Sequence, residues 1–132
     1  MNAALEAFEK AMEEGDVTAA GAALGSVAGS TEPDVLVASA RLKAAQGDAE
    51  GAVATLESAL GKHPGHAGVN GYLGALYVAR RDHDRARPLL EKAVANSPVP
   101  PAVAHAWGRN LANSGRLEEA VVHLKDAADR LP

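Results

Sequence analysis

The sequence predicts an all-α protein, a solenoid of about four antiparallel helix–turn–helix hairpins. Two observations carry this prediction. Within each stretch of about 34 residues, two apolar stripes at helical spacing are separated by a short turn signal. A hairpin of this size cannot bury its apolar face alone, so neighbours must stack. The other observation is that four columns recur every 34 residues: Pro64, Pro98 and Pro132; Ala52, Ala86 and Ala120; Leu56, Leu90 and Leu124; Ala59, Ala93 and Ala127.

The first repeat, residues 1–32, fits this period least well. Its first helix is predicted by the apolar stripe of Leu5, Phe8 and Met12 and ends near Gly15. Its second helix contains three glycines, each of which costs about 1 kcal/mol relative to alanine in a helix interior. We therefore expect a helix that is held by packing and frays. These glycines are Gly21, Gly25 and Gly29.

The repeats at 33–66, 67–100 and 101–132 follow the period closely. Glycine at a turn supplies the left-handed conformation that ends a helix, and a following aspartate caps the next helix. Pro88 is expected in the first turn or so of its helix, where backbone N–H groups have no partner and proline is tolerated, and Pro98 is expected to end that helix. The sequence predicts eight helices in four pairs. The turns are expected near Gly15, Gly47, Arg81–Asp82 and Gly115.

The composition excludes several classes of protein. Apolar residues make up 47% of the chain, which is enough for a core, whereas aromatic residues make up only 3%. The net charge of −4 argues against nucleic-acid binding, and the lack of cysteine removes disulfides and thiolate sites. The acidic N-terminal segment differs from a secretion signal, and no apolar run reaches the ~20 residues of a membrane span. We expect a soluble, cytoplasmic protein without a membrane or nucleic-acid partner.

The third repeat carries Leu73, Gly74, Tyr77, Ala86, Leu90, Ala93 and Pro98, and this pattern resembles the tetratricopeptide repeat family. The resemblance covers the whole chain and is strong from Pro33 onward and weak before it. The repeat pattern of this family contains a leucine–glycine pair, a tyrosine, and then alanine, a large apolar residue, alanine and proline. The resemblance implies one domain over residues 1–132, a right-handed solenoid, and first helices that line a concave groove. The usual early tryptophan is replaced by Leu36, Asn70 and Ala104.

No chemistry of catalysis is indicated. Nucleophile elbows, phosphate-binding loops and zinc-protease motifs are all missing from the sequence, so no enzyme activity and no cofactor is predicted. His63 and His66 flank Pro64 in a connection without cysteine or an acidic cluster, so exposed loop histidines are favoured over a metal site. The sequence predicts a non-catalytic scaffold.

The concave groove is the predicted binding site for a peptide or helix of a partner protein. Small residues in the third repeat would form a shallow trough, and arginines beside it would favour an acidic or amphipathic partner. The lysine and asparagine clamp that some family members use for a carboxylate terminus is absent. The predicted groove residues are Val37, Arg41, Gly71, Tyr72, Ala75, Val78, Ala79, His105, Arg109 and Asn113.

The alternative function is assembly through the end surfaces, with copies of the chain or with further repeats of a longer protein. The first repeat has a net charge of −5 and the third a net charge of +2, which would suit head-to-tail association. No polar helix follows the last hairpin in this sequence, and terminal repeats need such a cap. The last helix is therefore expected to present Val121, Ala128 and Leu131 to another chain.

Overall fold

The computed structural model describes residues 2–95 and 99–130, which form helices and their connections with no β-strand. Within these two ranges, eight α-helices form four successive hairpins, which confirms the predicted all-α repeat fold. Pro98, Pro132 and Leu131 lie outside the described residues, so the expected roles of these three stay predictions. The helices are α1 (Ala3–Glu13), α2 (Val17–Leu24), α3 (Pro33–Ala45), α4 (Ala49–Lys62), α5 (Ala67–Ala79), α6 (His83–Val94), α7 (Pro101–Asn113) and α8 (Leu117–Arg130).

Aspartate side chains cap the N-termini of the second helices in the first three hairpins. The carboxylates of Asp16, Asp48 and Asp82 each accept a hydrogen bond from the backbone N–H three residues further on, at 2.9, 2.9 and 3.3 Å. These bonds satisfy donors that have no partner inside the helix. His66 caps α5 in the same way, because its Nδ1 accepts from the N–H of Val69 at 3.1 Å.

All four hairpin turns lie where the sequence predicts them. Gly15, Gly47 and Gly115 adopt positive φ angles of 71°, 88° and 83°, the left-handed conformation that glycine reaches without steric cost. The equivalent residue in the third hairpin is Arg81, with φ of 63°. Its side chain meets the strain that the three glycines avoid.

Replacing Arg81 by glycine is therefore expected to stabilise the protein by about 1 kcal/mol. The gain is the removed strain, reduced by the extra freedom that glycine has in the unfolded chain. Chemical denaturation measures it, with Arg80→Gly as the matched control. Arg80 has φ of −86°, so glycine there relieves nothing and should destabilise. Equal effects of the two substitutions would contradict this account.

The chain divides into two compact units, Met1–His63 and Pro64–Pro132. In the first unit one cluster of the core contains Phe8, Ala11, Ala20, Leu24 and Ala38, and α4 contributes further buried residues such as Leu56. The second helix of its first hairpin is short, because α2 ends at Leu24 and continues only as a 3-10 turn over Gly25–Val27. This agrees with the expected effect of the glycines. That the whole chain acts as one domain stays a prediction.

In the second unit, α5 pairs with α6 and α7 pairs with α8 around two equivalent close approaches. A Cβ built on Gly74 would lie 2.8 Å from Cγ of Leu90, and a Cβ on Gly108 would lie 2.7 Å from Cγ of Leu124. These distances are shorter than van der Waals contact, so each glycine allows a leucine of the paired helix to pack against bare backbone. The two sites are 34 residues apart, as the repeat requires.

The position predicted for Pro88 is wrong. The helix α6 begins at His83, so Pro88 is its sixth residue and lies in the second turn, beyond the unpaired N–H groups of the first. It therefore deprives the carbonyl of Asp84 of its intrahelical donor. Asp84 and Pro88 are both exposed, so that carbonyl can bond to water.

Candidate functional site

The first helices of the second unit, α5 and α7, pack side by side and carry most of the predicted groove residues. Small side chains lie on α5, where Ala75 is half-buried and Ala79 is exposed. Tyr72 is half-buried on the same helix. Residues four apart share one face of a helix, so Ala75 and Ala79 form a continuous track along α5.

The groove prediction is wrong for two residues of α5. Gly71 is buried, and a Cβ built there would lie 3.0 Å from Cγ2 of Val103 and 3.2 Å from Cβ of Ala93. It serves the close approach of α5 to α6 and α7 and does not form the floor of a trough. Val78 is only 1% exposed and belongs to the core. Neither residue is accessible to a partner.

A row of polar residues lies on α7. His105, Arg109 and Asn113 are all exposed, and their spacing of four places them along one face of the helix. This row can supply hydrogen-bond donors and one permanent positive charge. The structure thus brings together a track of alanines on one helix and a polar row on its neighbour.

The two groove residues predicted in the first unit are already engaged. Val37 is buried. Arg41 forms an ion pair with Glu9, and its guanidinium lies 5.3 Å from the ring centroid of Phe8, which leaves 21% of the side chain exposed. The sequence suggested Arg41 as a charge for a partner, but a helical neighbour in the same unit satisfies that charge.

The other features considered in the sequence are a possible metal site, the loop histidines and membrane-spanning segments. Within the described ranges, no three histidine, aspartate or glutamate side chains are grouped so that they could hold a metal ion. His63 is half-buried rather than exposed, and its Nε2 lies 3.1 Å from the carbonyl oxygen of Thr31, at hydrogen-bond distance. The hydrogen bond from Arg116 to Glu119 raises the pKa of the guanidinium above its usual value. No described helix combines the length and apolar character that a membrane crossing needs.

Sequence reasoning missed two fully buried asparagines. The Nδ2 of Asn70 donates to the carbonyls of Pro64 and His66, and the Nδ2 of Asn110 donates to the carbonyl of His83 at 3.0 Å. One signal was present, since Asn70 occupies a column that is otherwise Leu36 and Ala104. A polar residue in an apolar column indicates a buried hydrogen bond.

Comparison with known proteins supports the repeat architecture. A family model described as tetratricopeptide repeat matches residues 43–109. The solved structure of MamA AMB-1 superposes with a TM-score of 0.68 at 26% identity, covering 96% of this chain and 76% of that one. A thermophilic TPR protein from Thermus thermophilus, TTC0263, gives a TM-score of 0.70 at 20% identity over 98% and 73%. MamA from Desulfovibrio magneticus RS-1 gives 0.64 at 21% identity over 98% and 76%. No curated protein sequence matches.

Proposed function

Because the chain belongs to the tetratricopeptide repeat family, whose members are generally protein-interaction scaffolds, we propose that it binds a peptide or helix of a partner protein without catalysing a reaction. The proposed site is the face formed by α5 and α7, here called the α5–α7 face. It consists of Tyr72, Ala75, Ala79, His105, Arg109 and Asn113. A cytoplasmic location, expected from the acidic N-terminal segment, belongs to this proposal.

One observation carries the proposal, the alanine track beside the polar row. Ala75 and Ala79 allow a ligand backbone to approach α5 closely, because their side chains end at Cβ. His105, Arg109 and Asn113 can then bond to the polar side of the ligand, since all three are exposed. This combination of an apolar track and a polar edge suits an amphipathic segment. Arg109 favours an acidic partner and contributes to orientation and association rate more than to affinity.

Filling the alanine track is expected to abolish partner binding. Peptides are first selected from a displayed random library on the wild-type chain, and their dissociation constants are then measured on Ala75→Trp. We expect at least a tenfold loss, because the indole occupies the space next to α5. Ala49→Trp, at an exposed position at the start of α4, is the matched control and should bind normally. Circular dichroism checks that both variants remain helical.

Arg109→Glu tests the charge on the same face. It should weaken acidic peptides and reduce the salt dependence of their binding. Selected peptides whose affinity survives both Ala75→Trp and Arg109→Glu would show that the α5–α7 face is not the site.

A second function, self-assembly, is favoured by a specific observation on α8. The large apolar residues that are exposed in the described part of the chain all lie on this helix, namely Leu117 at 62%, Val121 at 64% and Val122 at 65%. Leu117, Val121 and the exposed Ala128 share one face of α8. Val121 lies four residues after Leu117 and seven residues before Ala128. Exposed apolar residues grouped on one side of a helix indicate an interaction surface.

The measurement for self-assembly is sedimentation at several concentrations. The wild-type chain is expected to form a dimer that dissociates on dilution, because association would remove this apolar face from water. The double substitution Leu117→Glu and Val121→Glu should give a monomer throughout, whereas Glu118→Gln, at an exposed neighbour, should not. A wild-type chain that stays monomeric at high concentration would contradict this second function.

A further inference from the structure

A cleft of about 640 Å³ lies within the first unit, between the segment that follows α2 and the surface of α3 and α4. It exists because α2 is short. The helix ends at Leu24, whereas α4 continues for 14 residues. The chain from Gly25 to Thr31 leaves the helix at this point and forms one wall of the cleft. The bond between Thr31 and His63 ties that wall to the end of α4.

The cleft has an apolar floor and a length of about two helical turns. The floor is formed by leucines and valines of α2, of the 3-10 turn that follows it and of α3, which are buried or half-buried. Thr55, Ser58 and Lys62 lie at intervals of three and four residues on the side of α4 that lines the cleft. At 1.5 Å per residue, Thr55 and Lys62 are about 10 Å apart along the helix. The floor residues are Leu24, Val27, Val35, Leu36 and Leu42.

A positive charge lies towards each end of the cleft. Lys43 lies beside Thr55, to whose Oγ1 its Nζ donates at 2.8 Å, and Lys62 lies at the end of α4. No acidic residue is found among the described residues that line the cleft. The unit around it is strongly acidic, with ten acids and four bases in Met1–His63. Two of those four bases therefore line a cleft whose described lining contains no acid, and such a cleft attracts an anionic ligand.

We propose that this cleft binds an acidic amphipathic helix of another protein, as a second site in addition to the α5–α7 face. Two carboxylates seven residues apart on one helix face are also about 10 Å apart, so they match Lys43 and Lys62. Apolar residues at the third and fourth positions between them point to the same face and cover the floor. The recognised segment therefore has an acidic residue, apolar residues three and four positions after it, and a second acidic residue seven positions after the first.

The probe is a synthetic helix of about 20 residues, because shorter isolated helices are marginal in water. It contains the central sequence Glu-Ala-Ala-Leu-Leu-Ala-Ala-Glu within an alanine and glutamine background. Two further peptides carry glutamine in place of both glutamates, or alanine in place of both leucines. Isotope-edited NMR titration gives the dissociation constants. We expect each altered peptide to bind at least tenfold more weakly, with shifts in the wild-type titration confined to the cleft residues.

Matched charge reversals locate the site. Lys62→Glu should weaken the acidic peptide at least tenfold, whereas Lys10→Glu makes the same change of net charge at an exposed position on α1 and should change binding less than threefold. Gly25→Phe should block binding by filling the cleft. A Cβ at Gly25 has no neighbour within 4 Å, so the larger side chain has room and the fold should persist.

Several outcomes would overturn the proposal. These are equal binding of the acidic and neutral peptides, equal effects of Lys62→Glu and Lys10→Glu, or undiminished binding to Gly25→Phe in a folded protein. Ala75→Trp separates this site from the proposed function. It should leave the probe's affinity unchanged, and a loss there would assign the peptide to the α5–α7 face instead.

Discussion

Leu90→Ala is expected to lower the free energy of unfolding by about 2–5 kcal/mol. Leu90 is 0% exposed and fills the space that Gly74 leaves open on α5, so its removal creates a cavity between paired helices. The cost includes the lost transfer of the side chain from water and the part of the cavity that does not collapse. Chemical denaturation, monitored by amide hydrogen exchange in the helices of the second unit, gives the change in the free energy of unfolding.

Arg85→Ala on the same helix is the control. The Arg85 side chain is 70% exposed, forms an ion pair of 3.4 Å with Asp82, and lies 5.9 Å from the ring centroid of Tyr77. Exposed pairs of this kind contribute little, so the change should stay within about 0.5 kcal/mol. Similar denaturation midpoints for the two variants would mean that the buried and solvated faces of α6 are reversed.

Gly74→Ala is expected to destabilise by up to about 2 kcal/mol, although alanine is the better helix former. The added methyl would lie 2.8 and 2.9 Å from Cγ and Cδ2 of Leu90, and 3.4 Å from the carbonyl oxygen of Ala86. Overpacking of this kind costs about 1–3 kcal/mol, which outweighs the gain of about 1 kcal/mol in helix propensity. The measurement is again the free energy of unfolding. The equivalent Gly108→Ala should behave in the same way.

Two comparisons make this prediction specific. At Gly21, a Cβ would meet only Cδ2 of Leu42 at 3.7 Å, an ordinary contact, so Gly21→Ala should stabilise α2 by up to about 1 kcal/mol. In a Leu90→Ala background, the clash at position 74 disappears, and Gly74→Ala should become neutral or stabilising. Additive effects of the two substitutions, or destabilisation at Gly21, would exclude close packing as the cause.

The fold was predictable because its determinants are local and periodic. The turn glycines, the capping aspartates and the recurring alanines and leucines each act within one hairpin, and their spacing places them on the faces where the structure has them. Arg81 shows that position alone can identify a turn, since it takes the glycine conformation without being glycine. Helix ends were less predictable. The start of α6 at His83 depends on the Asp82 cap, and this places Pro88 a turn deeper than expected.

The candidate site was only partly predictable, because exposure depends on the distance between helices. The sequence places Gly71, Ala75 and Ala79 on one face of α5, but it does not show how much of that face α7 covers. The approach of Val103 removes Gly71 from the surface and leaves the two alanines. The engagement of Arg41 was not predictable for another reason, because its partner Glu9 is 32 residues away in the sequence. The cleft beside α2 was not predicted, because it arises from where a helix stops.

The amide of Asn110 has a consequence for how the second unit comes apart. Its Nδ2 donates to the carbonyl of His83, a residue 27 positions earlier that begins α6 in the preceding hairpin. Separation of the last two hairpins would leave both groups to water or unpaired, in addition to exposing apolar surface. In a solenoid, such a bond raises the coupling between neighbours relative to the stability of each hairpin alone. When the second unit unfolds from its C-terminal end, α7 should therefore not detach by itself. The two hairpins should open together as one cooperative unit.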